Sequence, residues 1–247
     1  MSSASHRSFG RLAPRYDELW PVDENWWGLF DLLVREADLS GRRVLEVGCG
    51  TGTLAAALAE RARCRVWAVD AERRMLEVAR SRVPRGVGLN LGSAEELPFK
   101  DGFFERVVTR LLVHLVDRPR AFAEARRVLF PGGVLAVATF DPASFFDSWL
   151  HPFFPSIAAI DSVRFPAPEA LSSELDDSGF TTRLVRLDQA VSFDRAEALE
   201  KLRGKHIGTF DLIDAAEYEA GLEQAERELP DRVNATLHWV IAVAVAR

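Results

Sequence analysis

The sequence predicts an α/β fold in which short strands alternate with helices on a mostly parallel sheet. Two observations carry this. Apolar segments four to six residues long recur between helix-period segments. The first of them, residues 43–47, runs straight into Gly48, Gly50 and Gly52, and an Ala/Leu-rich helical pattern opens at once. In chain order, strand patterns lie at 43–47, 65–70, 88–91, 106–109 and 134–139, with helical patterns at 53–62, 73–83 and 120–129 between them. Pro131-Gly132-Gly133 ends the third helix and turns the chain into the fifth strand.

After Phe140 the texture changes. Residues 141–168 hold Phe145, Phe146, Trp149, Phe153, Phe154 and Phe165, with prolines at 142, 152, 155, 166 and 168. This stretch reads either as an aromatic-packed connection or as the wall of a substrate pocket. The second reading follows from its departure point, because open α/β sheets bind ligands at the carboxyl ends of central strands. A helix over 167–178 ends at Gly179, and a strand follows over 182–187. Two amphipathic helices, 194–205 and 214–228, precede a final strand at 235–246, so they read as a lid-like insertion. We expect one domain over 1–247, its core at about 25–140 and 167–247, carrying an aromatic insertion at 141–166 and a helical one at 194–230.

Composition narrows the class. The 247 residues are 48% hydrophobic and 28% charged, ordinary for a globular chain able to bury a core. A net charge of −6 disfavours a nucleic-acid partner. Cys49 and Cys64 are too few for a disulfide framework and suit a reducing compartment. Residues 1–10 are polar without an apolar leader core, and the apolar run 239–246 is too short to span a bilayer. The expectation is a cytoplasmic protein with no membrane partner.

The glycine run lets the backbone turn sharply and lets a ligand approach the main chain, and the helix opening after it offers unpaired N–H groups to an anionic or carboxylate-bearing group. The spacing is G-x-G-x-G, with Thr53 where a dinucleotide fingerprint has Gly or Ala, and Glu46 stands two positions before the first glycine. Asp70, about 20 residues on at the end of the second strand, suits a ribose diol or a helix cap. Together with Ala94-Glu95-Glu96-Leu97-Pro98-Phe99, Leu129-Phe130-Pro131-Gly132-Gly133 and the pair Tyr16-Asp17, these features make residues 9–140 resemble a class I S-adenosylmethionine-dependent methyltransferase, of the methyltransferase-11-like, small-molecule type.

The resemblance implies a doubly wound, Rossmann-like sheet with helices on both faces and one antiparallel strand near its C-terminal edge. It implies S-adenosyl-L-methionine as cofactor. Gly48, Cys49, Gly50 and Gly52 would approach its methionine part, with Glu46 near the amino group. Asp70 would hold the ribose and the main chain at Ser93 and Ala94 would meet the adenine edge, with Ala71 and Glu95 counted beside them among the cofactor-binding residues. Arg110 and Leu111 would line the methionine side, and Tyr16 would close over the sulfonium. Position 93 is often Asp in this family; Ser93 implies an altered adenine contact.

The family chemistry is a direct in-line displacement, in which positioning does most of the catalysis and a base matters only if the nucleophile carries a proton. His114, following the fourth strand toward the crevice, is the candidate base; its alternative role is packing. His151 and His206 are further candidates in the pocket and lid segments, and His238 falls in the last strand. No metal-ligand spacing is present. The acceptor is expected to be a small molecule, hydrophobic or planar, selected by 141–165 and the helices at 194–228. The rivals are a cofactor-binding protein without turnover and an NAD(P)-dependent oxidoreductase, the latter opposed by Thr53 and the lack of a Tyr-x-x-x-Lys pair. A nucleic-acid methyltransferase lacks a basic tract or an Asn/Asp-Pro-Pro-Tyr/Phe motif to support it.

Overall fold

The structure, a computed structural model, describes residues 12–247; the polar start at 1–10 and Arg11 lie outside the described residues. Seven strands among these form one sheet: β1 Arg43–Val47, β2 Arg65–Asp70, β3 Gly88–Leu91, β4 Phe104–Arg110, β5 Leu129–Phe140, β6 Phe180–Asp194 and β7 Arg232–Ala246. Their order is β3-β2-β1-β4-β5-β7-β6. β7 runs antiparallel to both its neighbours and every other pairing is parallel. The expected doubly wound sheet with an antiparallel strand near its edge is therefore the one that forms.

The helices are α1 Tyr16–Leu19, α2 Glu24–Glu36, α3 Thr53–Glu60, α4 Arg73–Arg82, α5 Arg118–Val128, α6 Pro155–Arg164, α7 Pro168–Asp177, α8 Arg195–Arg203 and α9 Ala215–Glu228. Alternating strand residues choose the face. Val44, Ala68, Val108 and Ala136 pack with Leu33, Ala55, Leu58 and Leu76 of α2, α3 and α4. Their neighbours Leu45, Val69, Val107 and Leu135 pack on the other face with Phe122, Leu171 and Leu175 of α5 and α7. β1 is buried along almost its whole length, Glu46 included, because both faces are covered. α2 starts where the Asp23 side chain accepts the Trp26 N–H at 2.7 Å.

Four departures from the sequence reading stand out, the first being that the third helix already ends at Val128 and Pro131-Gly132-Gly133 lies within β5 instead of ahead of it. α5 begins at Arg118 because Asp117 caps it and Pro119 is tolerated in the first turn. β6 and β7 are longer than expected, paired without a break from Phe180↔Ala246 to Asp194↔Arg232. Apolar content alone marked only part of the first half of β6, an edge strand whose polar residues alternate along it. Segment 141–166 contains a 3₁₀ turn at Pro142–Asp147 and the helix α6, because Pro155 occupies a first helical position instead of breaking one.

A third apolar cluster joins the two insertions. Leu150, Phe154 and Ile157 pack with Phe193, Ala198, Leu202, Phe210, Ala225, Leu229 and Val233, forming a cap beyond the tip of the β6–β7 hairpin. α9 meets the start of α6 at Gly221, where a Cβ would lie 2.4 Å from Phe153 O and 2.5 Å from the Phe154 ring. Alanine there would gain up to about 1 kcal/mol of helix propensity. The overlap is with backbone and a fully buried ring, so overpacking wins at about 1–3 kcal/mol. Gly221→Ala is expected to lower the thermal midpoint by several degrees, read by unfolding followed through tryptophan fluorescence.

Candidate active site

The chain order reverses between the neighbouring strands β1 and β4, which opens a crevice at their carboxyl ends. The turn after β1 fills one side of it. Gly48, Gly50 and Gly52 have φ of 75°, 53° and 80°, a region that L side chains rarely adopt. A Cβ on Gly48 would come within 2.9 Å of Leu112, and one on Gly52 within 2.9 Å of Val83, whereas one on Gly50 would meet nothing within 4 Å. The turn is pinned to β2. The Gly48 and Cys49 N–H groups donate to Val69 O at 2.8 and 3.1 Å, and the Gly50 N–H donates to Asp70 Oδ2 at 2.7 Å. Asp70 Oδ1 accepts the Glu72 N–H at 2.8 Å, and Ala71 lies on the exposed bend between.

Three charged or polar side chains converge beneath this turn. Glu46 is 3% exposed and its Oε2 has no partner. Burial, then the charge of Asp70, push its carboxyl well above the usual range, while Arg110 opposes this. Arg110, at the end of β4, is half-buried with its Nε sealed and unpartnered, and its guanidinium carbon stands 5.5 Å from the Trp239 ring centroid. Burial raises the Tyr16 hydroxyl, against the pull of Arg110. Leu111 follows with φ 53°, its N–H donating to Ala138 O at 2.8 Å. A left-handed leucine costs about 1–3 kcal/mol, a strain typical of chain reversals at ligand sites. Cys49 is buried, and its surroundings hold the thiol protonated, so it offers no nucleophile.

Ser93, Ala94 and Glu95 form a separate turn after β3. Ser93 Oγ donates to Glu95 Oε2 at 2.6 Å, Glu95 Oε1 accepts the Asp117 N–H at 2.8 Å, and Ala94 is buried. The serine hydroxyl is thus bonded to its own turn.

A cavity of about 630 Å³ begins where this cluster ends. Tyr16, Arg110, Leu111 and His114 line it on the sheet side, and Phe145, Trp149, Phe165 and Trp239 are among its aromatic walls. Phe153 packs instead in the cap cluster and Phe154 is fully buried there. His114 stacks on Phe165 with centroids 3.9 Å apart, and its Nδ1 is buried without a partner. Burial and the nearby Arg164 lower its pKa to about 3. His206, also lining the cavity, is lowered to about 3 by burial, with Nδ1 3.1 Å from Lys201 O. His151 lines the cavity with an unpartnered Nδ1, and His238 pairs across the hairpin with Asp188 at 2.8 Å. Among the described residues no cluster of His, Cys, Asp or Glu is placed to hold a metal ion.

The sequence reading missed how the N-terminal segment is fastened. Asp17 accepts from Thr51 Oγ1 at 2.7 Å and pairs with Arg82, which also donates to Thr53 Oγ1 at 2.6 Å. On its other side the segment holds the cap: Trp20 Nε1 donates to His206 O and Lys201 Nζ to Leu19 O, both at 2.9 Å. Tyr16 therefore sits on a clasp between the glycine turn and the cap. The only local signal for this was the Tyr16-Asp17 pair.

Fold and crevice together define a class I S-adenosylmethionine-dependent methyltransferase fold. The model of the family described as "Methyltransferase domain" matches residues 45–137. A demethylmenaquinone methyltransferase of Thermus thermophilus is 32% identical over 205 residues, covering 71% of this chain and 92% of that protein. Methyltransferase GfsG of Streptomyces halstedii is 39% identical over 126 residues, 48% of this chain and only 45% of GfsG, so the chain matches less than half the length of that relative. A solved structure from Anabaena variabilis, described as a methyltransferase from an antibiotic biosynthesis pathway, superposes with a TM-score of 0.71 at 21% identity, covering 86% of this chain and 95% of that one; it shows the fold alone. This chain belongs to the S-adenosylmethionine-dependent methyltransferase family. Among the described residues no helix is long and apolar enough to cross a membrane.

Proposed function

We propose that this protein transfers a methyl group from S-adenosylmethionine to a small, hydrophobic or planar acceptor by direct in-line displacement. One observation carries the reading: a single cavity is lined both by Tyr16, Arg110 and Leu111 and by Phe145, Trp149 and Phe165 of the aromatic insertion. The orphaned polar atoms fit the cofactor. Glu46 Oε2 suits its ammonium and Arg110 Nε its carboxylate, each now buried without a partner. Gly50, open where a Cβ would project, gives a cradle for main-chain approach, with Gly48, Cys49 and Gly52 shaping the turn. Asp70 and Ala71 would take the ribose, Ser93, Ala94 and Glu95 the adenine edge, and Tyr16 and Leu111 the methionyl end.

The cofactor supplies, when bound, a methyl group activated by its sulfonium. The chain supplies position and a dry wall. His114 stays neutral across the working pH range and so is able to accept a proton. With its pKa lowered to about 3 it is a weak base, so the transfer fits best an acceptor oxygen that has already lost its proton. Two buried free cysteines suit a reducing compartment, and we place the protein in the cytoplasm.

Calorimetric titration with S-adenosylmethionine, S-adenosylhomocysteine and NAD tests the cofactor, and methyl transfer from labelled S-adenosylmethionine to an aromatic acceptor panel tests turnover. Micromolar binding of both adenosyl ligands, none of NAD, and label in an acceptor are the expected results. Binding without label in any acceptor would favour a sensor or scaffold; NAD binding alone would revive the oxidoreductase.

A further inference from the structure

The cap presents a buried cation to the cavity that methyl transfer itself does not require. Arg164 is the last residue of α6, and its side chain is 12% exposed; that of Asp161, one turn earlier, is 11% exposed. Arg164 Nη1 donates to Asp161 Oδ1 and to Thr209 Oγ1, both at 3.0 Å. Thr209 Oγ1 donates in turn to the Asp161 carboxylate, 2.8 and 3.0 Å from its two oxygens. One corner of the guanidinium is thus fixed from two elements. Its Nε and Nη2 donors have no partner among the described residues, yet they are not sealed off as Arg110 Nε is. All three side chains line the 630 Å³ cavity.

A purely structural buried ion pair is expected to satisfy its remaining donors, because desolvating a guanidinium costs more than one carboxylate returns. Here Arg164 itself lines the ligand space, and its Nε and Nη2 keep accessible surface in place of a protein partner. A planar fork of N–H groups matches the two oxygens of a carboxylate, or one ionised phenol oxygen, better than it matches any neutral group. The surroundings add a shape. Phe165 follows Arg164 directly in the chain, stacks on His114 at 3.9 Å and meets Phe145 edge-on at 5.0 Å, so flat ring faces and a ring edge line the same cavity as the fork. His114, whose buried Nδ1 lacks a partner, adds one neutral hydrogen-bonding group to that lining.

We propose that Arg164 anchors an anionic oxygen of the acceptor, so that this cavity selects flat aromatic molecules bearing a carboxylate or an ionised phenol. The inference rests on the reading of this cavity as the acceptor site. Asp161 and Thr209 act through Arg164: they are positioning residues that hold its fork toward the cavity, and Asp161 also attenuates its charge. An oxygen nucleophile held here would be acidified by the cation beside it, which fits a site whose imidazole is a weak base.

The test needs no turnover. Binding of 2-naphthoate and of its neutral isostere 2-naphthamide is measured by tryptophan fluorescence in the presence of S-adenosylhomocysteine. The native protein is expected to prefer naphthoate by roughly ten-fold or more. Arg164→Gln should abolish that preference while leaving naphthamide binding in place. Asp161→Asn should move it the other way, tightening naphthoate alone, because the fork loses its competing anion. Calorimetry with S-adenosylhomocysteine separates the two readings. Its binding should be unchanged in both variants, and its absence from the native protein would sink the cofactor reading without touching the naphthoate result. Equal affinity for the two probes in the native protein, or a preference that survives Arg164→Gln, overturns the anchor. So does an Asp161→Asn protein that weakens both probes alike, the signature of packing damage; that variant decides the matter if Arg164→Gln fails to fold.

Discussion

Asp70→Ala is expected to weaken S-adenosylhomocysteine binding by about two orders of magnitude or more, with a simultaneous loss of thermal stability. The carboxylate performs two tasks that fall together. It accepts the Gly50 N–H at 2.7 Å and the Glu72 N–H at 2.8 Å, and so locks the glycine turn after β1 to the start of α4. Hydrogen bonds to a charged group contribute about 1.5–3 kcal/mol each, and alanine removes both along with the proposed ribose contact. Asp70→Asn separates the tasks. Its amide oxygen can still accept one backbone N–H, but its NH₂ group cannot accept the other, so the asparagine protein should regain much of the stability and little of the affinity. Calorimetry beside thermal unfolding reads both quantities. An alanine variant that kept native affinity would remove Asp70 from the cofactor site altogether.

The parallel half of the sheet was readable because strands buried on two faces are written as apolar runs, and the turn after β1 because three glycines at alternate positions have few other uses. The hairpin was only partly readable. Arg183, Arg186, Asp188 and Ser192 interrupt β6, so apolar content underestimates its length, although its pairing with β7 is continuous. α6 was hidden by the proline-rich context around it. A proline is a breaker inside a helix and neutral at its first position, and composition does not tell these apart.

The candidate site divides along the same line. Glu46, Gly50 and Asp70 belong to motifs in which neighbouring residues fix the backbone, so a short window carries their geometry. Asp161, Arg164 and Thr209 share no such window. Thr209 lies 48 residues from Asp161 and reaches it only because the two insertions fold against each other into one cap. Asp17 and Arg82, 65 residues apart, meet for the same kind of reason across the glycine turn. The cofactor end is thus written locally and the acceptor end in the packing of the cap. This is the expected pattern where one scaffold serves many substrates, because the conserved chemistry of the fold needs local backbone shapes while selection needs a wall assembled from variable insertions.

Glu46→Gln is expected to stabilise the ligand-free protein and to weaken cofactor binding. Burial and the charge of Asp70 raise the folded-state pKa of Glu46 well above the value of 4.5 it starts from. A group whose pKa rises on folding contributes its stability fully below the unfolded value, and that contribution is lost as pH climbs through the folded value. Near neutrality the buried glutamate is therefore a net cost, and a glutamine of the same shape, which cannot ionise, removes it. Each kcal/mol so recovered would raise the thermal midpoint by about 2–4 °C in a chain of this size. The proposed ammonium partner reverses the sign for the ligand complex, because a cation at Oε2 favours the ionised form. Binding to the native protein should then release a proton below the folded pKa, and affinity should rise with pH through that interval. Calorimetry in two buffers of different ionisation enthalpy reads the proton directly. The variant should bind about two orders of magnitude more weakly, the usual cost of removing one partner of a desolvated charge pair, with no proton released. A gain in stability joined to a loss in affinity cannot arise from general damage to the fold. If both fell together, Glu46 would be a structural cap for the helix that follows the glycine turn, and the ammonium would have to be held elsewhere.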